Sequence, residues 1–212
     1  MDDETIAEPS GWNKARLEAL SDGVFAIAMT LLVLEIKVPE LDRHVDAATL
    51  WRAVRALWPL FFSFFLTFML TSMFWFWHHV SLHCMRRVDG VIVAINLGFL
   101  MGISLAPFST AMLGSLTLHQ PVSLAFYFGN QLALGLLLNA YWIYAKRQGL
   151  LDNPDLPIVR RFSTAIRFQP IGCLATLAMI PINSNWCFNT FAIVQIPWVV
   201  YMRRRLRAGK RA

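Results

Sequence analysis

Arg16, Ser21 and Asp22 stand near the start of a membrane-length, predominantly apolar run that extends to Val38, Arg-Leu-Glu-Ala-Leu-Ser-Asp-Gly-Val-Phe-Ala-Ile-Ala-Met-Thr-Leu-Leu-Val-Leu-Glu-Ile-Lys-Val. An unpaired carboxylate at membrane depth costs at least ~2.5–3.5 kcal/mol, so Asp22 needs hydrogen-bond donors from elsewhere in the chain. His78 and His79, ending a second apolar run, and Asn96 in a third are the donors expected at the same level. Asp22 is also expected near the first turn of the predicted helix, where the dipole favours negative charge. His79 and His83 share a helical face and precede Cys84, but two ligands at i, i+4 do not complete a metal site. No metal is therefore expected. Neither G-x-S-x-G nor H-E-x-x-H occurs, so no catalytic residue is assigned and no enzyme is expected.

The elements that carry these residues are membrane helices. The chain has 212 residues, 57% of them hydrophobic and only 15% charged, with a mean hydropathy of +0.50. Soluble domains carry roughly 25% charge. With about 20 apolar residues per crossing, six spans are predicted at approximately 17–38, 50–78, 88–112, 119–144, 163–182 and 186–202. Residues 1–15 are polar and acidic, without the apolar core of a cleavable signal. Neither an internal repeat nor a separate soluble segment is evident, so residues 1–212 read as one membrane domain. Arg52 and Arg55 in the opening turns of the second span suggest snorkelling side chains or an outer amphipathic turn.

Charge placement sets the orientation. Lys14, Arg16, Arg86, Arg87, Lys146, Arg147, Arg160, Arg161, Arg167 and the tail Arg203–Arg211 fall on one side. Lys37, Arg43, Arg52 and Arg55 fall on the other, interleaved with Glu40, Asp42 and Asp46. The positive-inside rule then puts both termini in the cytoplasm of a multi-pass cell-membrane protein. The basic face suits anionic lipids, and nucleic acid is not expected as a partner. Trp12, Trp75, Trp77, Trp142, Tyr144, Trp198 and Tyr201 read as an inner aromatic belt, Trp58 and Trp186 as an outer one. Cys84, Cys173 and Cys187 have no paired spacing, so no disulfide framework is expected.

At 100° per residue, Leu20, Val24, Ile27, Leu31, Leu34 and Val38 form one stripe of the first span, with Thr30 and Glu35 on its flanks. Ser21 and Asp22 point away from it. Spacing alone leaves this stripe open to lipid, to a neighbouring helix or to a pore. The same segment resembles the first-helix signature of the transmembrane protein 175 family of potassium channels, usually written R-x-x-x-F-S-D. Arg16, Ser21 and Asp22 match it, Leu20 replaces the phenylalanine, and the following G-V-F-A-I-A-x-T-L-L-V-L-E-I run extends the likeness.

That resemblance implies an all-α polytopic fold, six transmembrane helices per subunit, and a homotetramer around a central pore lined by the first helix. It places a hydrophobic constriction at Ile27, Leu31 and Leu34 and a candidate selectivity layer at Thr30. Arg16, Ser21 and Asp22 become a structural and gating motif, and Glu35 draws cations to the outer mouth. No cofactor is implied beyond the permeant potassium ions. The rival reading, a proton-coupled secondary transporter, would require ionisable residues at midmembrane and related halves.

Overall fold

The computed structural model describes residues 12–41, 45–115 and 118–195. Its elements are α1 (Lys14–Leu31), prolonged by a 3-10 turn (Leu32–Glu35), α2 (Ala47–Ala56), α3 (Trp58–His83), α4 (Gly90–Ser104), α5 (Ala106–Ser115), α6 (Pro121–Arg147) and α7 (Pro157–Asn183). A second 3-10 turn (Ser184–Trp186) leads into α8, helical over residues 187–195. The described residues contain no β-strand, only an isolated antiparallel bridge between Met85 and Leu151.

Local chemistry explains where these helices start. The Asn13 side chain accepts from the amides of Ala15 and Arg16 and caps α1, and the Asp89 carboxylate accepts from Ile92 N and caps α4. Proline opens α3, α6 and α7, where its missing N–H removes no helical bond.

Five stretches of the described residues are long and apolar enough to cross a membrane: Lys14–Glu35, Trp58–His83, Gly90–Ser115, Pro121–Arg147 and Val159–Gln195. The last spans 37 residues but is a hairpin. Asn183 is extended and breaks the helix, and α8 then returns along α7. Cys187 Sγ faces the Thr176 carbonyl, Phe191 lies against Gly172, and Gln195 Nε2 donates to Gln169 Oε1 at 3.3 Å. The rest of the expected 186–202 span lies outside the described residues, as do Asp42, Arg43, Trp198, Tyr201 and the tail from Arg203.

The expected 50–78 span requires correction. Its first part is the separate helix α2, which buries none of its residues, and α3 starts only at Trp58. Pro59 causes the break, because it has no N–H to give the Arg55 carbonyl and its ring crowds that carbonyl, so the chain turns at Leu57 and α3 restarts with the proline in its first turn. The expected 88–112 span is likewise split at Leu105, two residues before Pro107, whose missing amide N–H interrupts the ladder.

One end of the bundle gathers the start of α1, the α3–α4 loop and the α6–α7 loop. Lys14 Nζ donates to the Met85 carbonyl at 2.6 Å. Arg86 N donates to Leu150 O, and Asp152 N donates to Cys84 O. The Tyr144 hydroxyl donates to Asp89 Oδ2 at 3.0 Å. These segments carry the basic residues through Arg161, so the charge asymmetry seen along the sequence becomes a basic end in space. Phe25, Phe74, Trp77, Ile92, Phe99, Tyr141 and Trp142 form the core nearer that end. A second core of Leu113, Tyr127, Phe128, Cys173, Cys187 and Phe191 packs α5 to α8. Trp77 and Trp142 are thus interior residues and not members of an interfacial belt.

Candidate functional site

α1 has a packed face and an open face. Leu17, Ser21, Phe25, Ala28 and Leu32, at helical spacing, are buried against α3 and α4. Within that packed face Ser21, His78 and Asn96 join three helices, and they are 0, 2 and 0% exposed. Asn96 Nδ2 donates to Ser21 Oγ at 3.1 Å, and Ser21 Oγ donates to the Leu17 carbonyl at 2.8 Å. His78 Nε2 lies 2.6 Å from Asn96 Oδ1. An amide oxygen only accepts, so this nitrogen carries the proton. The His78 ring stacks on Phe99 at 5.6 Å and 7° and also meets Tyr141 and Phe25. Three polar side chains are therefore tied to one another inside an aromatic sleeve, which fixes the azimuth of α1.

Asp22 takes no part in that knot. Its donor is Trp75, whose Nε1 lies 2.9 Å from Asp22 Oδ1. His79 instead approaches Glu18 at 3.5 Å and stacks on Trp75. Glu18 and Asp22 on α1 thus face His79 and Trp75 on α3 as two rungs of a ladder. The donors expected for Asp22, namely His78, His79 and Asn96, are engaged elsewhere. Sequence reasoning missed Trp75 because tryptophan near a span end reads as a belt residue. Arg16 is exposed at the start of the open face.

On the open face Ile27, Leu31 and Leu34 are 61, 42 and 66% exposed. Thr30 is exposed beside them and turns its hydroxyl to the Ile27 carbonyl at 2.8 Å. Ile27 to Leu31 is roughly 6 Å of rise at 1.5 Å per residue. Leu31 to Leu34 crosses the 3-10 turn, which adds roughly 6 Å more at 2.0 Å per residue and brings i and i+3 into line. The change of helix type therefore keeps Leu34 on the same line as Leu31. Glu35 ends this turn half-buried. Ala19, Gly23 and Ala26 form an exposed strip of small residues along the edge next to Thr30, and a Cβ at Gly23 would meet nothing within 4 Å.

Outside the spans, the Thr49 side chain holds the Asp46 carboxyl below the usual carboxylate range by a hydrogen bond, and Arg52 Nη2 donates to Thr49 Oγ1 at 3.0 Å. Burial pushes the half-buried Cys84 thiol up. Among the described residues no group of three or more His, Cys, Asp or Glu is placed to hold a metal ion.

These features define a polytopic α-helical membrane protein whose first helix is locked on one face and open on the other. A family profile described as endosomal/lysosomal potassium channel TMEM175 matches residues 16–107, from the Arg16 motif to the kink at Pro107. A potassium channel of Streptomyces collinus is 38% identical over 158 residues, covering 72% of this chain and 74% of that protein. One from Chamaesiphon minutus is 36% identical over 178 residues, covering 82% and 87%. The crystal structure of a lysosomal potassium-selective channel TMEM175 homolog from Chamaesiphon minutus superposes with a TM-score of 0.74 at 30% identity, over 89% of this chain and 97% of that one. The chain belongs to the TMEM175 family, whose members are ion channels and not enzymes.

Proposed function

We propose that this chain is the subunit of a potassium-permeable leak channel, a homotetramer in which four copies of α1 surround the conduction path. The observation that carries this reading is the exposure of Ile27, Leu31 and Leu34 on a helix whose opposite face is fully packed. Four such stripes around an axis give apolar rings spaced roughly 6 Å apart. A neck of this kind closes by dewetting and, when slightly wider, favours the ion that sheds water more easily. Thr30 supplies hydroxyls beside the rings, and Glu35 adds negative charge at the outer mouth. Ala19, Gly23 and Ala26 support close approach of neighbouring α1 helices, as small residues do between membrane helices.

The Ser21–Asn96–His78 knot and the Asp22–Trp75 bond hold α1 in the orientation the rings require, with Arg16 at the inner end. The whole chain acts as one membrane domain with six crossings: α1, α3, α4 with α5, α6, α7, and a last helix that starts with α8. Both termini lie in the cytoplasm and the basic end faces anionic lipid of the cell membrane. Potassium preference is carried from the two relatives, each named a potassium channel.

The test is recording of purified protein in planar bilayers under opposed potassium and sodium gradients. The expected result is a non-saturating current that reverses toward the potassium equilibrium potential. Saturating, low-turnover flux that follows a proton gradient would replace this reading with the secondary-transporter one.

A further inference from the structure

Lys146, Arg147 and Arg167 line a cavity of about 460 Å³ between α6 and α7 at the basic end of the bundle. That volume lies within the range of small-molecule sites. Lys146 and Arg147 stand in the last turn of α6. Arg167 is deeper, ten residues past the Pro157 that opens α7, and inside the apolar Val159–Gln195 stretch. Asn139 Nδ2 donates to the neighbouring Ile166 carbonyl at 2.8 Å, and Trp142 Nε1 donates to Ser163 Oγ at 2.7 Å. These contacts set Arg167 about two turns below Lys146 and Arg147 on the antiparallel pair.

A guanidinium at that depth needs an anion. Among the described residues none of the three cations is in an ion pair, although the loop acids Asp152 and Asp155 lie at the same end. The cavity wall offers no substitute. Besides the three cations it is lined by Asn139, Trp142, Ile143 and Ser163, and none of these carries a carboxylate. Below the cations the outward side of α6 turns apolar, with Ile143 and Leu136 exposed. The surface therefore has cationic groups above and greasy ones below.

We propose that this cavity binds the headgroup phosphate of an anionic phospholipid. Arg167 reaches up to the phosphate with its paired N–H groups, Lys146 and Arg147 close over it, and an acyl chain runs down past Ile143 and Leu136. The inference rests on the basic end facing a leaflet surface. It does not depend on conduction, because lipid retention is measurable on a silent protein.

The test is native mass spectrometry of the full chain released from nanodiscs of equal phosphatidylglycerol and phosphatidylcholine. The expected result is selective retention of phosphatidylglycerol, weakened about tenfold in R167Q. Retention should be intermediate in R167K and unchanged in R87Q, which removes a cation from the same end. Excess inorganic phosphate should not displace the lipid. The proposal is overturned by equal retention in R167Q and wild type, by an equal loss in R87Q, or by displacement with phosphate alone. It is also overturned if R167Q separates subunits while lipid retained per subunit is unchanged, which would assign Arg167 to a neighbouring carboxylate.

Discussion

Replacing Asn96 with alanine should destabilise the subunit more than replacing Asp22 with alanine. Asn96 is fully buried and makes two side-chain hydrogen bonds, at 2.6 Å with His78 and 3.1 Å with Ser21. Its removal strands the His78 Nε2–H inside the aromatic sleeve, which costs about 1–3 kcal/mol. Ser21 keeps its bond to the Leu17 carbonyl and loses only an incoming donor, a smaller effect. The vacated amide leaves a void of roughly 30 Å³ and adds about 0.7 kcal/mol. The expected total is about 2–4 kcal/mol. Asp22→Ala breaks only an exposed hydrogen bond from Trp75 and should cost about 0.5–1.5 kcal/mol of subunit stability. Equilibrium unfolding in mixed micelles, followed by circular dichroism as the SDS fraction rises, measures both. In the Ser21→Ala/Asn96→Ala cycle the double mutant should fall short of the sum by about 1 kcal/mol. The reasoning is refuted if Asn96→Ala lies within experimental error of the wild type, or if Asp22→Ala costs more.

Two glycines should respond in opposite ways. A Cβ at Gly114 would come within 2.8 Å of Leu60 Cδ2 and 3.1 Å of its Cα, so Gly114→Ala should cost about 1–3 kcal/mol in the same unfolding assay. Gly23→Ala should leave subunit stability unchanged or raised by up to ~1 kcal/mol, whereas Gly23→Leu should reduce the tetramer fraction seen by light scattering; an unaffected tetramer would remove Gly23 from the inter-subunit contact. Cys84, with its thiol pushed up by burial, should react with maleimide more slowly than a free thiol at pH 7 and accelerate as pH rises through its elevated value. A rate at pH 7 equal to that of a free thiol contradicts this. Thr30→Val should change the potassium-to-sodium permeability ratio in bilayer recordings, and an unchanged ratio excludes its hydroxyl from the selectivity layer.

Much of α1 was legible in the sequence because a single period governs it. The stripe Leu20–Ile27–Leu31–Leu34 emerges at 100° per residue and is exposed in the fold. The partition of the polar residues was harder to read, although part of the signal was present. Ser21 shares the period of Leu17, Phe25 and Ala28, which marks it as interior, while Asp22 lies 100° away on another face. The pairing of His78 with Asn96 and of Trp75 with Asp22 depends on the rotation of α3 relative to α1, which no local pattern encodes. Pro59 carried the break between α2 and α3 in plain view, masked by the apolar residues on both sides. The kink at Leu105 was equally available from Pro107. The gathering of three basic segments at one end followed from alternating spans, whereas the cavity around Arg167 required the register between α6 and α7.

The most direct test is silver block of single cysteines during bilayer recording, in a Cys84→Ser background where Cys173 and Cys187 are fully covered. If α1 walls the ion path, cysteines at Ile27, Leu31 and Leu34 should each let added silver ions abolish the potassium current within seconds. A cysteine at Leu136 should leave it intact. Undiminished current through all three α1 variants, with the same silver concentration stopping the Leu136 variant, would put the path elsewhere in the protein.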